Sequence, residues 1–414
     1  MFISILRFIL NGWIDSLYYQ PDFHFKYLGL EWVKILPEPG LYVVFFLLLI
    51  SCILIVLGAY YRVSMTLFFL LFTYIELLDK TYYLNHYYFI SVLSCLLIFL
   101  PLHQNFSIDC LRKPQIKRNT VPVWTIQIIR LQISFVYFYA GLAKLQADWL
   151  FHAQPLSIWL RGYNNLPLIG AVMDNKEVAL LFSWAGAAYD VSIPFFLFLR
   201  KTRPFAYLFV IIFHLVTAFL LPGIGMFPWL MIALTLIFFD EHDYQKLANY
   251  FHKTIPHEKA PSRTYTTHQC LQLFLIVFIS LQIFLPLRHY LYPGNVLWTE
   301  QGFRFSWRVM LVEKTAYAEF KVHDPESDKT WVVYPSDYLR PMQVKQMSFQ
   351  PDMILEFAHF IEDQFLQYGD VAVYAEVYVS LNGRPGQLLI DPTVDLSAEA
   401  QSLLHKPWIL AAPD

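Results

Sequence analysis

The chain has 414 residues and a net charge of −2, so no nucleic-acid partner is implied. It is 57% hydrophobic and 18% aromatic but only 15% charged, which excludes an ordinary soluble enzyme and points to a polytopic membrane protein. Its four cysteines, Cys52, Cys95, Cys110 and Cys270, lie in or beside apolar segments and leave the long C-terminal region without a disulfide framework; there is no zinc-type Cys/His spacing, no P-loop and no dinucleotide glycine motif.

Residues 1–19 are apolar but short, lack a small-residue cleavage site, and are expected to form most of a first helix. Residues 20–40 carry prolines at 21, 37 and 39 and read as a loop. Clear apolar spans follow at 41–61, 63–79, 87–102, 121–144, 177–199, 203–221, 225–239 and 268–287, making about nine helices in all. The basic residues between them are uneven. Arg62, Arg112, Lys113, Lys117, Arg118, Arg200, Lys201, Arg203, Lys246, Lys253, Lys259 and Arg263 fall on one side, against Lys26, Lys34, Lys80, Arg161 and Lys176 on the other. The positive-inside rule puts the larger set in the cytoplasm. The helix ends bearing His86 and Lys144, and everything after residue 288, then face the extracytoplasmic side. From 288 the composition changes: 316–322, 330–334 and 371–381 favour strands, 352–367 fits one amphipathic helix, and Asn382-Gly383 is a hairpin signal. The expected architecture is a helical membrane domain over 1–287 and an extracytoplasmic α+β domain over 288–414.

Polar groups inside the spans are few. Lys144 ends the fifth, after the small residues Ala140, Gly141 and Ala143, which let another helix or a flat ligand approach closely. A buried lysine can offer a neutral amine as a base. Equally, Lys144 can snorkel to the headgroups or pair with Asp148 at i+4. Asp190 and His214 lie within spans, as ligands or as contacts between helices. Glu76, Asp79, Asn85 and His86 lie near helix ends, where anchoring is the simple explanation.

Several motifs together carry a resemblance. They are Leu78-Asp79-Lys80-Thr81 with Asn85-His86; Val136-Tyr137-Phe138, Ala140-Gly141, Lys144-Leu145 and Ala147-Asp148-Trp149; Phe213-His214 with Ile224-Gly225-Met226-Phe227; Trp298-Thr299 with Ser306-Trp307; and Asp391-Pro392 with Val394-Asp395. In order and spacing the chain resembles the vitamin K-dependent γ-glutamyl carboxylase family and related HTTM-domain membrane proteins, as a short, bacterial-type member. The resemblance implies that Lys144 deprotonates a reduced vitamin K of phylloquinol or menaquinol type. Oxygen adds, and the strong base so formed takes a proton from a glutamate γ-carbon and ends as the epoxide. Carbon dioxide traps the carbanion, with His86 assisting, and no metal is implied. By the same resemblance Asp79, Asn85, Tyr137, Gly141, Asp190, His214 and Phe227 line the quinone site. His289, Trp298, Arg304 and Trp307 fall to the glutamate-binding stretch, Arg304 as a bidentate partner for a carboxylate or as a surface arginine, the tryptophans also readable as domain core or interfacial anchors. The implied partners are a glutamate-containing protein or peptide, the quinone and the lipid bilayer. Two departures stand out. Ala143-Lys144 keeps one lysine where the animal enzymes have two. The C-terminal region is also shorter than theirs and lacks their cysteine pairing, so propeptide recognition is not expected to carry over. Rival readings are a quinol epoxidase that modifies no protein and a non-catalytic membrane receptor or assembly protein. A transporter is disfavoured, with no inverted repeat in view.

Overall fold

The structure is a computed structural model, and it describes residues 1–167, 169–250 and 269–412. The chain divides into two compact units. The first comprises Met1–Ser4, Leu47–Leu70 and Phe89–Leu285; the second comprises Ile5–Phe46, Leu71–Tyr88 and Pro286–Asp414.

Among the described residues, six helices are long and apolar enough to cross a membrane: Gly40–Leu57, Tyr61–Leu78, Val123–Lys144, Lys176–Phe198, Arg203–Leu220 and Gln269–Leu291. Two shorter apolar helices, Asn85–Ile98 and Phe227–Phe238, sit where the fourth and eighth spans were expected. Residues 1–19 are not one helix. An α-helix covers only Phe2–Leu10, about 13 Å long and too short to span a bilayer, and Gly12 at φ 65° separates it from a π-helical turn at Asp15–Tyr19. Lys253, Lys259 and Arg263 of the basic set, and residue 268 at the start of the last expected span, lie outside the described residues.

We label the helices of the first unit that matter here α1 (Val123–Lys144), α2 (Lys176–Phe198) and α3 (Arg203–Leu220). Polar side chains in this unit tie off helix ends. Asp109 accepts from the backbone N–H of Tyr60 and Tyr61, both at 2.9 Å, capping the helix that starts at Tyr61. Gly58, at φ 61°, makes the turn before it, and any Cβ there would lie 2.4 Å from Ser107 Cβ. The buried Arg130 donates to the carbonyls of Ile237 and Phe238 and pairs with Asp240 at 3.1 Å. Arg203 reaches Asp240 at 2.8 Å and Asp243 at 3.0 Å. These two guanidiniums are thus paired and satisfied, as buried charges must be.

The second unit contains a four-stranded antiparallel sheet in the order β2-β1-β3-β4, with β1 Lys314–Asp324, β2 Lys329–Val333, β3 Ala372–Leu381 and β4 Gln387–Leu388. Each strand expected from sequence is present. The register sets Ala318 opposite Val377, Phe320 opposite Ala375 and Val322 opposite Val373, so one face is apolar at every second position. That face is covered by α4, Pro351–Phe365, whose Ile354, Phe357, Ala358 and Ile361 are fully buried. Phe357 meets Phe320 edge-on at 5.0 Å. Ile354, Phe357 and Ile361 each contribute about 1.5–3 kcal/mol by burial. The turn after β3 is the one read from sequence: Asn382 and Gly383 both have positive φ, 55° and 77°, as a tight hairpin requires.

Candidate functional site

The first unit gathers its polar groups around α1. Tyr137, Gly141 and Lys144 are spaced by four and three residues and therefore share one helical face. That face meets α2. A Cβ on Gly141 would lie 2.6 Å from Val191 N and 2.9 Å from Asp190 C, so glycine is what lets the two backbones approach. The approach brings Asp190 Oδ2 to 2.8 Å from Lys144 Nζ. Both side chains are buried, at 7% and 6% exposure, so Lys144 neither snorkels nor pairs with Asp148 in the next turn. Nζ also donates to Ala140 O at 3.3 Å and sits 5.2 Å from the Trp149 ring centroid. Trp149 is fixed in turn by its indole N–H, which donates to Ser183 O at 2.7 Å. Pro194 stands four residues after Asp190 in α2, so the Asp190 carbonyl lacks its usual helical donor.

One to two turns away on the same face, Tyr137 Oη lies 2.7 Å from His214 Nε2 on α3. His214 is buried at 2% exposure, and its Nδ1 has no hydrogen-bond partner among the described residues. If Tyr137 donates to Nε2, the unpaired nitrogen carries the proton; in the other tautomer it is an unpaired acceptor. Either way one ring nitrogen is left open, at a cost of about 1–3 kcal/mol unless a ligand meets it. Aromatic rings surround the pair: Tyr189 stacks on Phe213 at 4.0 Å, and Phe227 stands edge-on to His214 at 6.3 Å. Four of the expected quinone-site residues, Tyr137, Gly141, Asp190 and His214, thus sit with Lys144, and Phe227 joins them.

The remaining expected residues belong to the second unit. Asp79 caps a short 3-10 turn by accepting from Thr81 N at 2.9 Å, and its other oxygen meets Gln343 Nε2 at 3.1 Å and His24 Nδ1 at 3.2 Å. Asp79 is saturated by its own unit. Asn85 Nδ2 donates to Arg308 O at 2.9 Å, and Asn85 Oδ1 accepts from Tyr83 Oη at 3.1 Å. His86 follows on the first turn of its helix, its ring 4.5 Å from that of Tyr87. These bonds join the Asn85-His86 segment to the 298–308 stretch. Gly302, at φ 83°, packs so closely on His289 that a Cβ would lie 2.7 Å from His289 Cα. Trp298 and Trp307 are 0% and 1% exposed, with Trp298 Nε1 donating to Leu410 O at 2.9 Å, so both are packed in the domain core.

Arg304 is not a surface arginine. Its Nη1 pairs with Asp352 Oδ2 at 2.7 Å, and its Nη2 donates to Gln350. Lys80 Nζ reaches Asp352 at 3.0 Å and Glu356 at 2.8 Å, and Lys26 N donates to Glu356 Oε1 at 2.6 Å. Burial alone would raise the Asp352 carboxyl, but the Arg304 guanidinium and the Lys80 ammonium hold it well below the usual carboxylate range. Burial pushes Glu356 up, with Lys80 offsetting part of that. None of Lys26, Lys80, Asp352 or Glu356 is a site candidate from sequence. The signal was a mixture of basic and acidic residues on segments far apart in the chain, which spacing alone cannot join.

What the fold and these clusters define is a polytopic helical membrane protein with a buried lysine–aspartate pair and an antiparallel-sheet domain. The model of the HTTM domain matches residues 1–242, and that of the vitamin K-dependent gamma-carboxylase, lumenal domain, matches residues 267–414. The chain belongs to the HTTM-domain family, as a protein of vitamin K-dependent gamma-carboxylase type. No solved structure matches it.

Proposed function

We propose that the protein oxidises a reduced naphthoquinone of the vitamin K type and couples that oxidation to γ-carboxylation of glutamyl residues. The observation that carries this reading is the 2.8 Å contact between Lys144 Nζ and Asp190 inside an apolar bundle. A lysine acts as a base only as the neutral amine. Passing one proton along this hydrogen bond to Asp190 gives that amine without leaving net charge in a low-dielectric site. Lys144 would then take the proton of a ring hydroxyl.

The residues around the pair suit a flat, aromatic, hydroxylated ligand. The open Nδ1 of His214 offers it a polar partner, while Tyr137 fixes that ring and Phe227 supplies an apolar wall. The chemistry supplied there by a bound reduced naphthoquinone is oxidation by O2 to its epoxide and water, yielding a base that frees the glutamyl γ-carbon of a proton so that CO2 can add. His86 is read as assisting at that carbon, in keeping with its neighbours Asn85 and the 298–308 stretch. The proposed sidedness puts His86, the Lys144 end of α1 and the C-terminal domain on the extracytoplasmic face, and it rests on the distribution of basic residues.

The test is incorporation of labelled carbon dioxide into a short glutamate-containing peptide by purified protein with reduced vitamin K, with epoxide followed in the same tube. Label and epoxide both lost in Lys144→Ala are the expected result. Epoxide without label, over a panel of peptides, would reduce the activity to quinol epoxidation. Neither product from well-folded wild-type protein would sink the enzymatic reading.

A further inference from the structure

Among the described residues of the second unit, Arg308 is a buried cation with nothing to pair it. Arg308 is 8% exposed. Among the described residues its guanidinium has no ion-pair partner and no hydrogen-bond acceptor, and its Nε is sealed from solvent without a partner. Burial pushes it down to about 10, with Tyr290 and Glu300 only partly opposing, so it remains charged at neutral pH. Glu300, the one carboxylate acting on it, is already committed to Lys314 Nζ at 2.5 Å. Arg304, four residues earlier, contrasts with it, its guanidinium being shared by Asp352 and Gln350.

The chain holds this unpaired group firmly. Asn85 Nδ2 binds the Arg308 carbonyl at 2.9 Å, Tyr83 Oη binds Asn85 at 3.1 Å, and Phe305 N donates to the same hydroxyl at 2.8 Å. Phe305, Trp307 and Met310 all lie in the left-handed region, at φ 60°, 57° and 54°. Non-glycine residues stay there only when their surroundings over-determine them, a condition that clusters at ligand clamps. A buried guanidinium left without a counter-charge is costly, and a carboxylate is the planar anion that its fork fits.

We propose that Arg308 is the docking point for the carboxylate of a glutamyl side chain, held bidentately by a guanidinium whose own backbone carbonyl is tied to Asn85. This rests on the carboxylation reading and supplies its substrate with an anchor. The role that sequence reasoning gave to Arg304 passes to Arg308, because Asp352 already occupies Arg304.

The experiment is binding of a fluorescent short peptide to the full chain in lipid nanodiscs without quinol, comparing a glutamyl peptide with its glutamine counterpart. Wild type should prefer the glutamyl peptide by at least about thirtyfold, the scale of losing one partner of a buried charge pair. Arg308→Gln should erase that preference. Arg308→Lys should keep part of it, as a point charge without the fork. Bicarbonate at tens of millimolar should not displace the peptide. Preference retained in R308Q, displacement by bicarbonate, or no glutamyl-selective binding in wild type would each overturn the assignment. If R308Q fails to fold, shown by loss of its thermal transition, the lysine variant decides: unchanged preference there refutes the site, and partial loss supports it. Labelled CO2 fixation in the same preparations separates the two ideas. Fixation with R308-independent binding leaves the carboxylase and removes this site; selective, R308-dependent binding without fixation does the reverse.

Discussion

At the scale of single residues, the Lys144–Asp190 pair is the feature most open to test. Asp190→Asn keeps the shape but removes the proton acceptor. The expectation is a fall in epoxide formation of about 10²- to 10⁴-fold, the usual worth of a positioned acid or base, with the protein still folded by circular dichroism. A D190N protein with wild-type turnover would show that Asp190 only neutralises the lysine. A second expectation concerns pH. Asp352 is held below its unfolded value, so its contribution to stability is present above about pH 4, where the unfolded carboxyl is ionised, and is lost as pH falls from there toward the folded value. Its side chain is 38% exposed, so screening limits the contribution to about 1 kcal/mol or less. Unfolding of the full chain, followed by tryptophan fluorescence from pH 7 to pH 3, should lose midpoint below about pH 4. Asp352→Asn should start lower and show a flatter acid limb; an unchanged limb would remove Asp352 from the account. The sequence marked Lys144 and Asp190 separately, because ionisable groups inside apolar spans are conspicuous. It could not pair them, since the partner in view along the chain was Asp148. Nor could it see that Arg304 is paired, because its partner, Asp352, lies on a distant helix.

At the scale of elements, the close crossing of α1 and α2 is what makes that pair. Gly141→Ala should push backbone against backbone, since the added Cβ meets Val191 N at 2.6 Å. Overpacking of this kind costs about 1–3 kcal/mol, and a displacement of even 1 Å at the pair should lower turnover by about 10²-fold. Gly186→Ala is the matched control: its Cβ would meet only Trp149 Cζ2 at 3.7 Å, an ordinary contact, and alanine is the better helix former. Thermal midpoint and epoxide formation, measured together, should fall for G141A and hold for G186A. Equal behaviour of the two would mean that the crossing is not what positions Asp190. Periodicity made the elements themselves legible. The β1 and β3 alternation, the Asn382-Gly383 turn and the amphipathic α4 were all visible because burial on one face leaves a period of 2 or 3.6. The N-terminal segment misled because apolar composition over 1–19 says nothing of the break at Gly12.

At the scale of the whole molecule, the sidedness of the site depends on which helices cross the bilayer. Six are long enough alone, while Asn85–Ile98 and Phe227–Phe238 are short. If both short helices cross, the stretch Arg112–Arg118 faces the cytoplasm and the Lys144 end of its span faces outward. If neither crosses, those two assignments reverse, yet the C-terminal domain stays outside, because two crossings are lost together. Domain sidedness alone therefore cannot separate the two topologies, and the loop containing Lys113 can. We expect both short helices to cross, since the basic residues then collect on one side as the positive-inside rule demands. In a background with Cys52, Cys95, Cys110 and Cys270 replaced, a cysteine at Ser327 in the exposed turn between β1 and β2 should react with a membrane-impermeant maleimide in intact cells. A cysteine at Lys113 should react only after permeabilisation. Labelling at both positions from outside would hold the short helices within one leaflet and place the Lys144 end on the cytoplasmic side, where a base could not serve an extracytoplasmic glutamate. Labelling at neither would put the C-terminal domain itself in the cytoplasm, which only an odd number of crossings between Arg62 and residue 288 forbids.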